Sequence, residues 1–311
     1  MKPKGVCVGS NMAEIQMSAK GIARATNLQG GLWSRHTATV QPAHLAHGLA
    51  AAVERRGVRI FENTEVTGAK SGKVTIDGGH VVRAPVIVRA LEGYTAELPG
   101  HHRELTPLYS TMIATAPLSQ ELWDEIGFAD GQSFGDLRHM VIYGQRTADD
   151  RIAFGGRGAP YDYGSKIRRN ADFPAETFEP IRQALVELFP QLADTDVTHR
   201  WGGVLGVSRT WMPTVGFDPA TGMAWAGGYV GSGVAATNLA GRTLAELITD
   251  KPGEICQFPW VNHRVRRWEP EPLRWLAFTA ALRVMDGADK AEARSGKPSK
   301  RADALWWLAE H

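Results

Sequence analysis

The sequence predicts a mixed α/β fold, on three observations. A helical pattern after Pro42, with Leu45, Leu49 and Val53 on one face, stops at Gly57 and gives way to Val58-Arg59-Ile60-Phe61, which reads as a strand. This is the helix-to-strand step of α/β proteins. Residues 107–116, 138–143 and 151–154 read as strands clustered without intervening helices, which predicts a mainly antiparallel sheet. Residues 223–226 read as a short strand that runs through a glycine-rich turn into a helix over 234–248.

Each element has a local cause. Residues 1–30 are the least regular, with a weak helical pattern from Glu14 to Ala25. Pro42 suits a first helical position, and Gly57 suits a helix stop. Asp77-Gly78-Gly79 between 73–76 and 80–83 is a hairpin signal. Pro85 opens Val86-Ile87-Val88-Arg89-Ala90, which reads as a buried strand. Asp149-Asp150 turns the chain into the strand at 151–154. Residues 175–189 carry Ile181, Leu185 and Leu188 in helical phase, with Pro190 after them. The tail, 258–311, is rich in Trp and Arg and reads as helical, with a charged stretch expected to be exposed over 286–302.

The 311 residues allow a large core and two domains, and 43% hydrophobic with 22% charged residues is the profile of a soluble protein. A net charge of +2 gives no footprint for nucleic acid. No apolar run approaches the roughly 20 residues of a membrane helix, and the apolar stretch near Met1 is too short for a signal peptide. Two cysteines, Cys7 and Cys256, make neither a disulfide framework nor a zinc spacing. The expected setting is a reducing cytoplasm.

Gly231-Ser232-Gly233-Val234-Ala235-Ala236 matches G-x-G-x-x-[G/A] between a strand and a helix, the pattern of dinucleotide-binding folds. A nicotinamide-binding unit needs a second parallel strand after the helix, and Lys251-Pro252-Gly253 followed by Phe258-Pro259-Trp260 offers none. The physics stands without that label. Glycines admit close approach of a planar ligand, and a helix start presents free N–H groups with a partial positive charge, suited to an anion. A plain strand–turn–helix corner is the competing explanation.

Context bears on that choice. Gly228 through Val234, followed by Ala240-Gly241-Arg242 and 244–248, resembles the C-terminal flavin loop and helix of the D-amino-acid oxidase-like (DAO) superfamily of FAD-dependent oxidoreductases. Trp201-Gly202-Gly203-Val204-Leu205-Gly206, with Arg209, Pro213 and Gly216-Phe217-Asp218, resembles the strand and turn before that loop. Val40 through Leu45, then Gly57 through Ile60 and Thr64-Glu65-Val66, resembles the adenine-side segment. Residues 86–90 with Gly93 and Tyr94 resemble the strand and turn that close over the FAD pyrophosphate. The resemblance runs in order from about Gly30 to about Arg283 and lies nearest the gamma-glutamylputrescine oxidoreductase branch. The family's opening strand, G-x-G-x-x-G loop and ribose-binding acid have no match, because only Val6-Cys7-Val8-Gly9-Ser10 stands in that place.

The resemblance implies FAD as cofactor and hydride transfer to flavin from a small amine or amino acid. It also implies a truncated FAD-binding lobe over 31–94 and 200–250, an antiparallel substrate domain over 95–199 and C-terminal helices over 251–311. The alternative is a catalytically inactive remnant of such an enzyme that cannot hold FAD. Implied cofactor contacts are Val66, Ala90, Gly93, Tyr94, Gly228, Tyr229, Gly231, Ser232, Gly233 and Val234. Candidates for substrate orientation are Arg157, which can pair with a carboxylate or be a surface loop arginine, and Tyr109 and Tyr143, pocket walls or core. Arg209 is a ligand contact or a structural ion pair; Trp201 stacks near the ring or fills core. His36, His44, His47 and Cys256 receive no role, and no cluster has metal spacing. The oligomeric state is not predicted.

Overall fold

The computed structural model describes residues 6–8, 24–26, 31–33, 38–128, 131–158, 160–168 and 173–310. The helix expected from Glu14 lies up to residue 23 outside the described residues, as does His36. Strands β1 (Val6–Val8) and β2 (Gly31–Trp33) pair in parallel. Helix α1 (Pro42–Glu54) begins with proline in its first turn, and the Gln41 side chain accepts a hydrogen bond from His44 N–H. A three-stranded antiparallel sheet follows: β3 (Val66–Lys70), β4 (Lys73–Ile76) and β5 (Val81–Arg83), with Asp77–Gly79 as the turn between the last two.

β6 (Ile87–Arg89) leads into a 3-10 turn, Glu92–Glu97, and then the long β7 (Leu105–Thr115). Helix α2 (Gln120–Ile126) is capped by the Ser119 hydroxyl, which accepts from Leu122 N–H, and ends on left-handed Gly127. Next come β8 (Ser133–Asp136), β9 (Ile142–Arg146), β10 (Ile152–Gly156) and helix α3 (Glu179–Leu188). β11 (Val197–Ser208), β12 (Thr214–Asp218) and β13 (Met223–Gly227) precede α4 (Gly233–Ile248). Helices α5 (Leu273–Ser295) and α6 (Lys300–Glu310) close the described chain.

The largest sheet has seven strands in the order β11-β7-β10-β9-β8-β1-β2, antiparallel from β11 through to β1. One of its faces is covered by α2 and α3. Ile181, Ala184, Leu185 and Leu188, spaced along one stripe of α3, bury against Ile113, Phe134, Ile142 and Phe154. Each of the Ile and Leu side chains contributes roughly 1.5–3 kcal/mol on burial. A smaller sheet runs β12-β13-β6, with β6 parallel to β13. Ala240 and Leu244 of α4 pack on its Val215 and Ala224. A third cluster joins Leu108 and Val207 to Tyr161, Trp268 and Phe278, which fastens the C-terminal segment to the large sheet. This is the mixed α/β architecture, with a mainly antiparallel large sheet, that the sequence predicts.

Four expectations are corrected. The strands of the large sheet do not follow one another without a helix: α2 stands between β7 and β8, started by the Ser119 cap and stopped at left-handed Gly127. Residues 58–61 form no strand; among the described residues no strand pairs with them, and Val58, Ile60 and Phe61 are exposed. The strand expected over 138–143 begins at Ile142, because carboxylates take the amides before it. Asp136 Oδ1 accepts from Arg138 and Ile142 N–H, and Asp289 accepts from His139 and Met140 N–H. For the same reason 286–302 is not simply exposed: Ala288 and Ala302 are buried, and the Asp289 carboxylate is almost fully covered.

Candidate functional site

The corner between β13 and α4 has a left-handed backbone at Gly228 (φ 77°), Val230 (φ 50°) and Gly231 (φ 90°). Val230 accepts a strain of roughly 1–2 kcal/mol there, and its side chain packs into the Leu108, Val207 and Trp268 cluster. The turn delivers the chain to the first residue of α4. Ser232 stands at the N-cap but its side chain makes no capping bond, and no acid lies in the first turn. The amides of Gly233, Val234 and Ala235, which no helix can satisfy internally, therefore lie at an uncapped end. Gly231, Ser232 and Val234 around them are exposed.

Beneath the corner lies Glu92, a residue that sequence reasoning missed. Its carboxylate accepts from Gly228 N–H (2.7 Å), Gly206 N–H (3.1 Å) and Tyr229 N–H (3.3 Å). Its backbone is left-handed (φ 46°) although it is not glycine. Burial pushes its carboxyl above the ordinary carboxylate range, and the three amides oppose that rise. Burial and the Glu92 charge push the Tyr229 phenol up to about 12. The neighbouring Gly93 is packed so closely that a Cβ would stand 2.8 Å from Val204 Cγ2. Two predicted cofactor segments, 90–94 and 228–234, are thus joined by one carboxylate.

From this corner the β7–β11 pair runs outward. Register places Leu205 opposite Leu108, Gly203 opposite Ser110 and Trp201 opposite Met112. Strand alternation puts these residues on the face turned away from Ile113 and α3. Gly231 lies over the same face, since a Cβ there would reach Leu205 Cδ1 at 3.8 Å. Continuing across β10 and β9, Met112 stands opposite Gly155, and Gly155 opposite Tyr143. The Tyr143 hydroxyl hydrogen-bonds Ser110 Oγ. Gly155 allows the close approach: a Cβ would lie 2.7 Å from Met112 and 2.8 Å from Tyr143. Ser110, Met112, Tyr143 and Trp201 therefore form one surface, which begins at the mouth of the glycine corner and is only partly buried. Burial raises the Tyr143 phenol above its usual value, while its bond to Ser110 opposes the rise.

The other predicted residues fall elsewhere. Tyr109 alternates to the opposite face and is buried; its hydroxyl accepts from Arg168 N–H at 2.6 Å, and its ring meets Phe173 edge-on. Arg157, just past β10, pairs with Asp286 (3.3 Å) and Asp289 (3.6 Å) of α5. Arg209 pairs with Glu269 (3.1 Å) and lies over the Trp268 ring. Val66 opens β3 opposite Ile76, and β3 packs beside β6. Ala90 and Tyr94 are exposed, while Gly228 and Tyr229 are buried. His44 and His47 are exposed on α1. Among the described residues there is no group of acids, histidines or cysteines able to hold a metal ion, and no helix is long and apolar enough to cross a membrane.

Residues 10–247 match the family model described as DAO, FAD dependent oxidoreductase. A probable oxidoreductase OrdL of Rhizobium meliloti is 32% identical over 231 residues, covering 72% of this chain and 50% of that protein. Gamma-glutamylputrescine oxidoreductase of Escherichia coli is 30% identical over 225 residues, covering 70% of this chain and 50% of its own length. The chain thus spans about half the length of the curated relatives it matches. Among solved structures, a glycine oxidase from Geobacillus kaustophilus superposes with a TM-score of 0.57 at 19% identity, covering 71% of this chain and 57% of that one. An L-proline dehydrogenase from P. horikoshii gives 0.56 at 17%, covering 69% and 57%. These likenesses establish a shared fold.

Proposed function

Because the chain belongs to the DAO family of FAD-dependent oxidoreductases, we propose that it forms the flavin-facing and substrate half of an enzyme that oxidises an amine or amino acid by hydride transfer to FAD. The observation that carries this is the uncapped, acid-free and exposed start of α4, opening onto the Ser110–Tyr143 face of the sheet. The residues present fit the flavin end of the cofactor. Their free amides and the positive end of α4 suit its electron-rich edge.

When bound, FAD supplies the two-electron chemistry, accepting a hydride from the substrate carbon that bears nitrogen. The protein supplies orientation and field. Amides of Gly233, Val234 and Ala235 stabilise negative charge at the corner. Met112 and Trp201 wall a substrate, and the Ser110–Tyr143 pair offers it a neutral hydrogen-bonding edge. In this reading residues 31–94 and 200–250 make the cofactor lobe, with contacts from Val66, Ala90, Gly93, Tyr94, Gly228, Tyr229, Gly231, Ser232, Gly233 and Val234. Residues 95–199 make the substrate domain, and 251–311 pack outside it. Arg157, Tyr109 and Arg209 serve mainly by fixing the loops and α5 around the face. A relative named for gamma-glutamylputrescine supports an amine as substrate.

A second reading, that this chain alone does not retain FAD, is favoured by α1, which has no buried residue, and by exposed Val88 on β6. One titration separates the two. Purified protein is mixed with FAD and followed by flavin absorbance and fluorescence, then by anaerobic addition of primary and secondary amines and amino acids. Retained FAD that bleaches with an amine is the expected result; absence of FAD binding refutes the first reading for this chain.

A further inference from the structure

Glu92 holds an expensive position. Its backbone is left-handed (φ 46°), a conformation that strains a non-glycine residue and that glycine adopts freely. Its side chain is partly buried, and its carboxylate accepts from three backbone amides. Those amides come from two separate places, Gly206 on β11 and the Gly228-Tyr229 turn after β13. The surroundings are shaped to it: a Cβ on Gly227 would stand 3.0 Å from Glu92 Oε2. Strain, burial and three converging donors at one residue point to a role in holding the corner.

We propose that Glu92 is a positioning residue for the cofactor. Its carboxylate ties the end of β6 to β11 and to the glycine turn, and so fixes the loop shape that keeps the α4 amides open toward FAD. The inference rests on the flavin reading above. The division of labour is sharp: Gly228 and Tyr229 amides are spent on Glu92, whereas Gly233, Val234 and Ala235 amides are left for a ligand. Both carboxylate oxygens are engaged, Oε1 by Gly206 and Tyr229 and Oε2 by Gly228. An isosteric glutamine cannot replace them, because its NH2 group must face an N–H donor on one side.

The test compares the full chain with Glu92→Gln and Glu92→Asp, first without added cofactor. Hydrogen exchange is read in peptides covering 203–208 and 226–231, with β9 and β10 as internal reference. Exchange in both peptides is expected to rise at least about tenfold in Glu92→Gln, the factor matching loss of one bond to a charged group, with the reference unchanged. FAD affinity, measured by fluorescence titration, is expected to fall by a similar factor, with a changed visible circular dichroism of the bound flavin. Glu92→Asp keeps the charge but is one methylene shorter, and is expected to recover part of both effects. It also carries the comparison if the glutamine variant does not fold. Unchanged exchange overturns the proposal at its first step. Faster exchange with unchanged FAD affinity overturns the link to the cofactor. Faster exchange in the variant, beside a wild-type chain that never binds FAD, shows that the flavin reading itself has failed, and the proposal falls with it.

Discussion

Glu92 ionises against the cost of burial, and this gives it a pH signature. Its folded pKa lies above the ordinary value of 4.5, so between 4.5 and the raised value the folded chain binds more protons than the unfolded one. Stability therefore falls as pH rises through that window and levels off above it. The expected outcome is that Glu92→Gln flattens this slope, checked by denaturant midpoints of both chains from pH 4 to 8. A second prediction concerns Gly155. The Cβ of Gly155→Ala would push on Met112, Tyr143 and the Thr111 carbonyl. It should cost about 1–3 kcal/mol and, by parting Met112 from Tyr143, should raise KM for the amine more than it alters FAD affinity. Parallel melting, FAD titration and steady-state kinetics check this.

Among the elements, α4 carries the sharpest contrast between stability and function. Ser232→Asp would supply the missing cap and a negative charge at the positive end of the helix. It should stabilise the fold by about 0.3–1 kcal/mol while weakening FAD binding by about tenfold, since the aspartate would take the amides a ligand needs. A higher melting temperature paired with a weaker flavin titration is the expected result; tighter FAD binding would refute the assignment of those amides. Helix α3 packs its apolar stripe into the core of the large sheet. Leu185→Ala, in the core beside Phe154 and Ile113, should cost about 2–5 kcal/mol and leave the FAD affinity of the folded fraction unchanged, as calorimetry and titration would show.

For the whole molecule, the large sheet and the α1 region differ in how they are covered. The large sheet has α2 and α3 on one face and the C-terminal segment fastened to the other through Trp268, Phe278 and the Arg209–Glu269 pair. The α1 region has no such cover: Leu45, Leu49, Val58, Ile60 and Phe61 are all exposed. Clustered exposed apolar side chains favour association. The isolated chain is expected to self-associate with rising concentration, and Leu49→Glu to reduce this with little change in melting temperature, as sedimentation velocity would show. An equally monodisperse wild-type chain would contradict it.

The local chain was enough to determine the elements whose causes are local. Pro42 and Gly57 bracket α1, Asp77-Gly78-Gly79 turns the hairpin, and glycines 228–233 mark the corner before α4. The order of family-like segments was equally legible, because strand and helix periods and turn residues are written within a few positions. The site itself depended on distance. Glu92 has meaning only through amides 114 to 137 residues away. The turn at 138–141 exists because Asp289, about 150 residues on, takes its amides. Which face of β7 a side chain joins, Tyr109 to one and Ser110 to the other, is set by the sheet's two different coverings. A buried carboxylate or arginine takes its role from the donors and charges around it, and only the tertiary structure brings those together.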